Sequence, residues 1–258
     1  MAYGFYVETP ASERHDSAQQ FHPENPERLE CIREALNDAG IFQNGLIELG
    51  DNGRSASDEW RHQGVFKELE IVHDPRYLRK VARACMHASA HHEQYVDQDT
   101  YITRSTLEVI ADSVSLVREA TEQALQHNTP AFCAVRPPGH HAGRQFLGGF
   151  CIANLAAYAA QLAHNAGAEK VAIVDWDAHH GNGTQSIFNG DPNVFYLSLH
   201  TRGIFPRGGN AADQGHGDGK GFTRNIALSP LTEDAEYLER FGEGISRIHD
   251  AMEPETII

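Results

Sequence analysis

The chain has 258 residues, which is enough for one sizeable α/β domain, and no change in composition marks a linker between two. Its 21 lysines and arginines and 36 aspartates and glutamates give a formal net charge of −15, which argues against direct nucleic-acid binding and suits a cationic substrate. The four cysteines form no CxxC pair and no apolar run reaches membrane-spanning length, so we expect a cytoplasmic protein with reduced thiols and no membrane contact.

The first half of the chain predicts strands and helices in alternation. Three short apolar segments predict strands, at residues 3–8, 69–72 and 131–135. Helices are predicted at about 26–39 and 75–87, the second opened by an Asp-Pro pair. The polar residues 50–64 predict a loop.

A longer helix is predicted from Ser105 onward. Ser105 and Glu108 have the spacing of a capping box. The helix would pack one face on a sheet, because apolar or small residues recur at helical spacing. These residues are Leu107, Ile110, Val114, Val117, Thr121 and Ala124.

The second half predicts a parallel sheet and its covering helices. Strands are expected at 171–174 and 193–199, which are apolar on both faces, as strands buried on both sides are. Helices are expected at 152–166, where Gly167 ends the helix, and at 184–189.

The C-terminal part predicts a loop, a helix and the start of a strand. Residues 200–220 are rich in glycine but lack the GK[ST] pattern of a phosphate loop, so we expect a flexible segment near the site. A helix is predicted between a Thr232 cap and Pro254, and a strand from Thr256. The predicted buried stripe of this helix is Leu238, Phe241, Ile245, Ile248 and Met252.

Polar side chains follow the predicted strand 171–174. Asp175, Asp177 and His179 alternate along the chain, so they can share one face at the carboxyl end of the strand, where open α/β sheets bind ligands. Two carboxylates and an imidazole repel or stay unpaired there unless a cation joins them, and Zn²⁺ accepts both ligand types. The pattern therefore indicates a metal site rather than an ordinary polar loop.

A second polar turn follows the predicted strand 131–135. It holds the adjacent His140 and His141 after a rigid Pro-Pro-Gly turn. Imidazole titrates close to neutral pH, so the pair suits proton transfer. Asp175 and Asn182 of the other loop are candidate hydrogen-bond partners for the two rings.

These motifs resemble those of the zinc-dependent histone deacetylase and acetylpolyamine amidohydrolase family. The resemblance rests on RPPGHHA at 136–142, GGFC at 148–151, DWDAHHGNGT at 175–184 and SLH at 198–200. It extends from about His15 to the last residue, and Asn182 resembles the class II and bacterial members. The family implies an α/β, three-layer arginase/deacetylase-like fold, with a central, mostly parallel sheet flanked by helices.

The resemblance implies hydrolysis of an acyl-amide, of the acetyl-lysine or acetylpolyamine type, to a free amine and a carboxylate. His141, oriented by Asn182, would be the general base. His140, held cationic by Asp175, would stabilise the developing oxyanion or assist the leaving amine.

The resemblance also implies metal ligands. A catalytic Zn²⁺ would be bound by Asp177 and His179, and its third ligand, an aspartate, would lie beyond Ile258. The tyrosine that helps to stabilise the tetrahedral intermediate would follow later still. A structural K⁺ would be bound through the backbone of Asp175, Asp177, His179, Ser198 and Leu199.

The substrate channel is implied by further residues of the motifs. Gly149, Phe150 and Phe205 would line it and clamp an aliphatic stem. Asp99 would lie on the rim and hold the substrate backbone. Arg28 would be buried near the inner end, where the acetate leaves.

We therefore expect a single histone-deacetylase-like domain over residues 1–258 that lacks its C-terminal third, binds zinc weakly and turns over little. If the chain completes its own metal site, Asp213, His216 and Asp218 are the first residues to consider. A homo-oligomer is compatible with the sequence.

Two other hypotheses stay open. An arginase-like two-metal hydrolase shares the fold and a D-A-H-x-D pattern, but Gly181 stands where its second carboxylate would be. A non-catalytic module that binds acylated amines is the other hypothesis, although a pure binder has no need of the paired bases His140 and His141.

Overall fold

The fold is described by a computed structural model that covers most of the chain. The described residues are 4–9, 15–17, 22–43, 45–49, 59–88 and 93–258, without the side chains of 59–63. Among them, no helix is long and apolar enough to cross a membrane.

Strands and helices alternate along the described chain. The strands are β1 (Gly4–Glu8), β2 (Leu46–Glu48), β3 (Gln94–Tyr95), β4 (Tyr101–Ile102), β5 (Ala131–Ala134), β6 (Val171–Asp175), β7 (Val194–Thr201), β8 (Thr223–Leu228) and β9 (Thr256–Ile257). The helices are α1 (Glu27–Asp38), α2 (Glu59–Glu68), α3 (Pro75–His87), α4 (Thr106–His127), α5 (Leu155–Asn165), α6 (Asn182–Phe188) and α7 (Asp234–Met252). Short 3-10 turns lie at Leu69–Ile71 and Gly217–Gly219.

Two parallel sheets organise these elements. One has the strand order β2-β1-β5 and the other β8-β7-β6-β9, while β3 and β4 form a separate antiparallel pair. All pairings within the two larger sheets are parallel. The expectation of a mostly parallel sheet flanked by helices is therefore confirmed.

The core lies on both faces of the four-stranded sheet. Val171 and Ile173 of β6 belong to the apolar cluster that includes α4 and α5. Ala172, Phe195 and Leu197 point to the opposite cluster, which includes α7. Side chains two apart in a strand share a face, so a run that is apolar at every position can be buried from both sides. Each large apolar side chain buried in this way stabilises the fold by roughly 1.5–3 kcal/mol.

Helix α5 begins three residues later than the predicted start at 152, because Asn154 is its N-terminal cap. The Asn154 side-chain oxygen accepts a hydrogen bond from Ala157 N at 3.0 Å. Its side-chain nitrogen donates to the Ala142 carbonyl and to Thr184 Oγ1, both at 3.0 Å. This buried cap thus fixes the helix to both of the polar loops.

Several predictions for the first half of the chain are wrong. The segment 69–72 is not a strand but begins with the 3-10 turn Leu69–Ile71, because periodicity alone cannot separate a short buried strand from a buried helical turn. The predicted loop 50–64 contains the start of α2, and its residues 50–58 lie outside the described chain. Ser105 makes no side-chain capping bond; Thr106 Oγ1 instead accepts from Thr103 N at 2.8 Å.

The predicted buried stripe of α7 is confirmed in part, because Ile248 and Met252 are buried and Phe241 packs against the same apolar cluster. Leu238 is 66% exposed and Ile245 is 37% exposed, although both were expected in the buried stripe. Gly244 lies against the sheet instead, where a Cβ would be 2.8 Å from a Leu197 methyl carbon. The helix therefore approaches the sheet along its smallest residue, which turns the neighbouring apolar positions outward. Thr232 makes no capping hydrogen bond either, and Glu233 occupies the cap position.

The segment between β7 and α7 contains a short 3-10 turn and a strand that the sequence did not predict. Residues 200–220 were predicted to be a loop, and Gly217–Gly219 form a 3-10 turn within it. The strand Thr223–Leu228 was not predicted, because its polar and apolar residues do not form a continuous apolar run. It pairs with β7 over six positions and forms one edge of the sheet.

Candidate active site

The polar loops after β5 and β6 meet as expected at the carboxyl ends of these strands. Thr184 N donates to the His140 carbonyl at 3.0 Å, which joins the two loops through the backbone. Gly183 packs against this junction, where a Cβ would collide with the Ala142 carbonyl. The absence of a side chain at Gly183 lets the loops approach this closely.

His140 is paired with the carboxylate at the end of β6. Its Nδ1 donates to Asp175 Oδ2 at 3.0 Å. Burial alone would lower the pKa of His140, but the hydrogen bond and the charge of Asp175 outweigh it and raise this pKa above the ordinary value. Burial would raise the pKa of Asp175, yet the interaction with His140 keeps it below the ordinary value. Each member of the pair therefore stabilises the charged form of the other, imidazolium for His140 and carboxylate for Asp175.

His141 has a neutral partner instead. Its Nδ1 lies 2.8 Å from Asn182 Oδ1, which only accepts hydrogen bonds, so Nδ1 carries the proton. Burial, and then the charge of His140, lower the pKa of His141 to about 4. The ring is therefore neutral at physiological pH, and its Nε2 has a free lone pair. The two pairings expected from the sequence are both present.

Asp177 and His179 lie side by side, as the alternation along the chain predicts. Asp177 Oδ1 accepts from His179 N at 2.8 Å and is 3.1 Å from His179 Nδ1. It is also 3.9 Å from His140 Nε2. Both side chains are about half exposed, so they are open to an ion or a substrate.

The donor set at this position fits zinc in part. One carboxylate and one imidazole are ligands that Zn²⁺ accepts, but a catalytic site takes three protein ligands. In the described parts of the chain, no group of three or more His, Cys, Asp or Glu side chains is arranged to hold a metal ion. The third ligand expected beyond Ile258 stays a prediction.

Gly181 and Tyr196 complete the surroundings of Asp175. The buried Tyr196 hydroxyl, which the sequence had not indicated, donates to Asp175 Oδ2 at 2.9 Å. A Cβ at Gly181 would collide with that carboxylate oxygen and with the Tyr196 hydroxyl. An aspartate therefore does not fit at position 181 in this arrangement, which disfavours the two-metal hypothesis.

Phe205 and Gly149 lie beside the tandem histidines. The Phe205 ring is 5.0 Å from the His141 ring and 6.4 Å from the His179 ring, and it is 47% exposed. Gly149 has φ +52°, and a Cβ there would collide with His141 and come within 2.8 Å of Phe205. These residues form one wall over the histidines, as a substrate channel would require.

Phe150 has a less direct relation to this wall. Its backbone has φ +69°, and its N–H donates to Thr100 Oγ1 at 2.9 Å. Its ring packs edge-on against His22, with centroids 5.3 Å apart. The pairing of Phe150 with Phe205 across a channel stays a prediction.

Asp99 lies on an acidic turn next to the glycines of the wall. Asp97 Oδ1 accepts from Asp99 N at 3.0 Å, and a Cβ at Gly148 would lie 3.2 Å from Asp97 Oδ2. Burial and the neighbouring Asp97 raise the pKa of Asp99. The turn gives this side of the site negative charge, and the role of Asp99 in holding a substrate backbone stays a prediction.

The expectation of a buried Arg28 is wrong. Its side chain is 48% exposed on the first turn of α1 and only reaches to 4.0 Å from Glu24. The buried arginine is Arg136, which is 1% exposed and donates to both carboxylate oxygens of Glu24 at 2.6 and 2.9 Å. It begins the tandem-histidine turn shortly after β5, and a charged residue at the end of an apolar run was the signal that could have identified it.

The other predicted residues lie apart from the histidines or make only structural contacts. Ser198 is buried next to Asp175 in the strand register, and its Oγ lies 2.9 Å from His200 Nδ1. Leu199 is a buried core residue. Potassium binding through these residues stays a prediction. Asp213 closes a turn onto Asn210 N, and His216 lies against Gly190, so neither is near Asp177 in the described contacts. Asp218 lies in the 3-10 turn of the same segment.

The chain belongs to a known family. Residues 22–258 match the family described as histone deacetylase domain. The chain is similar to histone deacetylase 15 of Arabidopsis thaliana, with 36% identity over 244 residues. This match covers 93% of the chain and 42% of the relative, so the chain spans less than half of that protein.

Solved structures agree with this assignment. The HD domain of HDA15 superposes with a TM-score of 0.86 and 30% identity, over 99% of this chain and 70% of that one. Acetylpolyamine aminohydrolase from Burkholderia pseudomallei has the same fold, with a TM-score of 0.78 and 24% identity over 98% of this chain and 80% of that chain. The deacetylase-like fold expected from the motifs is therefore confirmed.

Proposed function

We propose that this chain carries the reaction centre of a zinc-dependent hydrolase that cleaves the amide bond of an acetylated or otherwise acylated amine. The observation that carries the proposal is the pair of adjacent histidines with different partners and opposite pKa shifts. Asp175 keeps His140 cationic, and Asn182 orients a neutral His141. An acid and a base held side by side are what amide hydrolysis needs.

Asp177 and His179 would hold the zinc ion, together with a ligand that the described residues do not supply. When bound, the ion would polarise the acyl carbonyl and make water more acidic. Both side chains are about half exposed, and Asp177 Oδ1 lies 3.9 Å from His140 Nε2, which supports this assignment.

The histidines perform the proton transfers. His141 takes a proton from the attacking water at its free Nε2, while Nδ1 stays bonded to Asn182. His140 stabilises the negative charge that develops on the acyl oxygen and gives a proton to the leaving amine. Water adds to the acyl carbon, the carbon–nitrogen bond breaks, and a carboxylate and a free amine leave.

The surroundings favour a cationic substrate with a slender stem. Phe205 and Gly149 offer an apolar wall beside His141. Asp97 and Asp99 add negative charge at the next turn, and the whole chain has a formal charge of −15. Acetyl-lysine peptides and acetylpolyamines both fit this description.

The test is hydrolysis of an acetyl-lysine peptide and of an acetylpolyamine, before and after removal of metal, by the chain extended through the expected third metal ligand. We expect turnover to disappear in chelator and to return with Zn²⁺ or Co²⁺. Asp177→Asn should weaken zinc binding about tenfold or more, measured by titration, whereas the exposed Asp218→Asn should not change it. Full turnover by metal-free protein would reject the metallohydrolase proposal, and binding without turnover would favour the binding module.

A further inference from the structure

A cavity of about 610 Å³ lies beside the outer strand of the four-stranded sheet. Its walls are β8, the segment that follows β7, and the first half of α7. β8 is the outermost strand of its sheet in the described chain, so no neighbouring strand fills this space. The volume is in the range of sites that bind small molecules.

Four arginines line this cavity, namely Arg202, Arg207, Arg224 and Arg240. They come from all three walls and are accompanied by one carboxylate, Glu236. Arg240 is paired with Glu243 at 2.7 Å. In the described residues, no carboxylate oxygen lies within 4.0 Å of the guanidinium groups of the other three, so no described carboxylate forms an ion pair with them.

This concentration of positive charge is unusual for the chain that carries it. The cavity holds four of only 21 lysines and arginines in a protein of formal charge −15. The candidate active site, by contrast, is lined by carboxylates. Like charges gathered at one place repel one another and cost stability unless an ion of opposite sign joins them. The arginine cluster is therefore a candidate site for an anion.

We propose that this arginine-lined cavity binds a small molecule that carries phosphate groups. Guanidinium forks match tetrahedral phosphate oxygens with paired hydrogen bonds, and several forks can share one polyanion. Ile226 and Leu228 of β8 add an apolar part of the wall, which suits an organic portion of the ligand. The cavity is concave and enclosed by three elements, so a small molecule fits it better than a flat macromolecular surface does.

The test is calorimetric titration of the full chain with inorganic pyrophosphate at low ionic strength. The protein is kept metal-free, so that pyrophosphate cannot act by binding zinc and the outcome is independent of the proposed hydrolase activity. We expect saturable binding that weakens as salt is added. Citrate, a carboxylate polyanion of similar charge, should bind at least about tenfold more weakly, because each carboxylate offers two acceptor oxygens to the guanidinium forks and each phosphate group offers three.

Variants assign the binding to the cavity. Arg207→Gln and Arg224→Gln should each raise the Kd for pyrophosphate about tenfold or more, the usual effect of removing a charge-assisted hydrogen bond. Arg224→Lys keeps the charge but loses the fork, and should lie between the wild type and the glutamine variant. Arg83→Gln removes the same charge from the exposed face of α3 and should leave the Kd unchanged. Circular dichroism and thermal unfolding without ligand confirm that each variant is folded.

Three results would overturn the proposal. The first is absence of pyrophosphate binding by the wild type. The second is equal binding by the wild type and by the Arg207 and Arg224 variants, which would place the anion elsewhere. The third is citrate binding as tight as that of pyrophosphate, which would show that the cavity does not select phosphate.

Discussion

His140 and His141 are neighbours in the chain, yet their surroundings shift their pKa values in opposite directions. One nitrogen of His140 faces the Asp175 carboxylate, and the corresponding nitrogen of His141 faces the Asn182 amide. A carboxylate stabilises the imidazolium, whereas an amide oxygen orients a neutral ring without a full charge. The difference between the two histidines therefore depends on one partner residue for each, Asp175 for His140 and Asn182 for His141.

Replacement of His141, the proposed base, tests directly whether the two histidines have different roles. His141→Ala should lower kcat on an acetyl-lysine peptide by about two to four orders of magnitude, the usual contribution of a general acid–base group. Bound zinc per protein should stay the same, because His141 is not a proposed ligand. His87→Ala, which changes an exposed histidine of α3, is the control. Loss of zinc with unchanged turnover per zinc would give His141 a different role.

A second prediction concerns the space next to Asp175. Gly181→Ala should lower kcat about tenfold or more, since the new methyl group would displace the Asp175 carboxylate from His140. The fold should persist, because the collision is confined to one side chain and the Tyr196 hydroxyl. Gly64→Ala, where nothing lies within 4 Å of the added carbon, should behave as the wild type. Unchanged kcat in Gly181→Ala would show that the contact with Asp175 is dispensable.

At the scale of elements, local pattern predicted the strands that form apolar runs and missed strands that are very short or that mix polar with apolar residues, such as β3 and β8. β6 and β7 are apolar at nearly every position, and their bounds agree with the prediction within two residues. β8 mixes Arg224 and Asn225 with apolar residues, so its own composition does not predict a strand. It becomes a strand by pairing with β7. The packing of α7 on the sheet depends on how closely Gly244 approaches Leu197. Residue spacing in the sequence does not reveal that contact.

The position of α7 can be tested with two glycines of the same helix. Gly244→Ala should lower the free energy of unfolding by about 1–3 kcal/mol, because its Cβ would lie 2.8 and 2.9 Å from the Leu197 methyl carbons. Gly242→Ala should instead raise it by about 0.5–1 kcal/mol, since the added carbon has nothing within 4 Å and alanine favours the helix. Urea unfolding measures both. Equal effects of the two changes would contradict the packing of α7 along Gly244.

At the scale of the whole molecule, the sequence predicted those parts of the candidate site whose residues lie close together in one short motif. The four residues His140, His141, Asp175 and Asn182 lie in two short motifs that each follow the carboxyl end of a parallel strand, where ligand sites of α/β folds gather. The Arg136–Glu24 pair joins residues 112 positions apart, and local sequence holds no sign of such a long-range contact. The expectation for Arg28 was wrong for the same reason.

Buried histidines make the stability of the whole fold dependent on pH. Burial lowers the pKa of His73 and His200 to about 4 and that of His15 to about 3, while the unfolded chain protonates them near 6.5. Because these folded-state pKa values are depressed, the unfolded state binds more protons below pH 6.5. The stability present at pH 7 is therefore lost as the pH falls.

We expect each such histidine to contribute about 2 kcal/mol to the loss of unfolding free energy between pH 6.5 and 5. His73 uses both ring nitrogens: Nδ1 donates a hydrogen bond to the Gly143 carbonyl, and Nε2 accepts one from Asn154 N. His73→Gln should lower stability at pH 7 and flatten its dependence on pH, measured by urea unfolding at both pH values. A pH dependence as steep as that of the wild type would show that His73 titrates normally.

The segment that follows β7 takes part in both sites of the molecule. Arg207 lines the arginine-rich cavity, and Phe205, two residues earlier, packs against the rings of His141 and His179. An anion that fixes Arg207 and an amine that fixes Phe205 would order the same few residues. Thermodynamic linkage then requires reciprocity: the factor by which pyrophosphate changes the affinity for an acylated amine must equal the factor by which that amine changes the affinity for pyrophosphate.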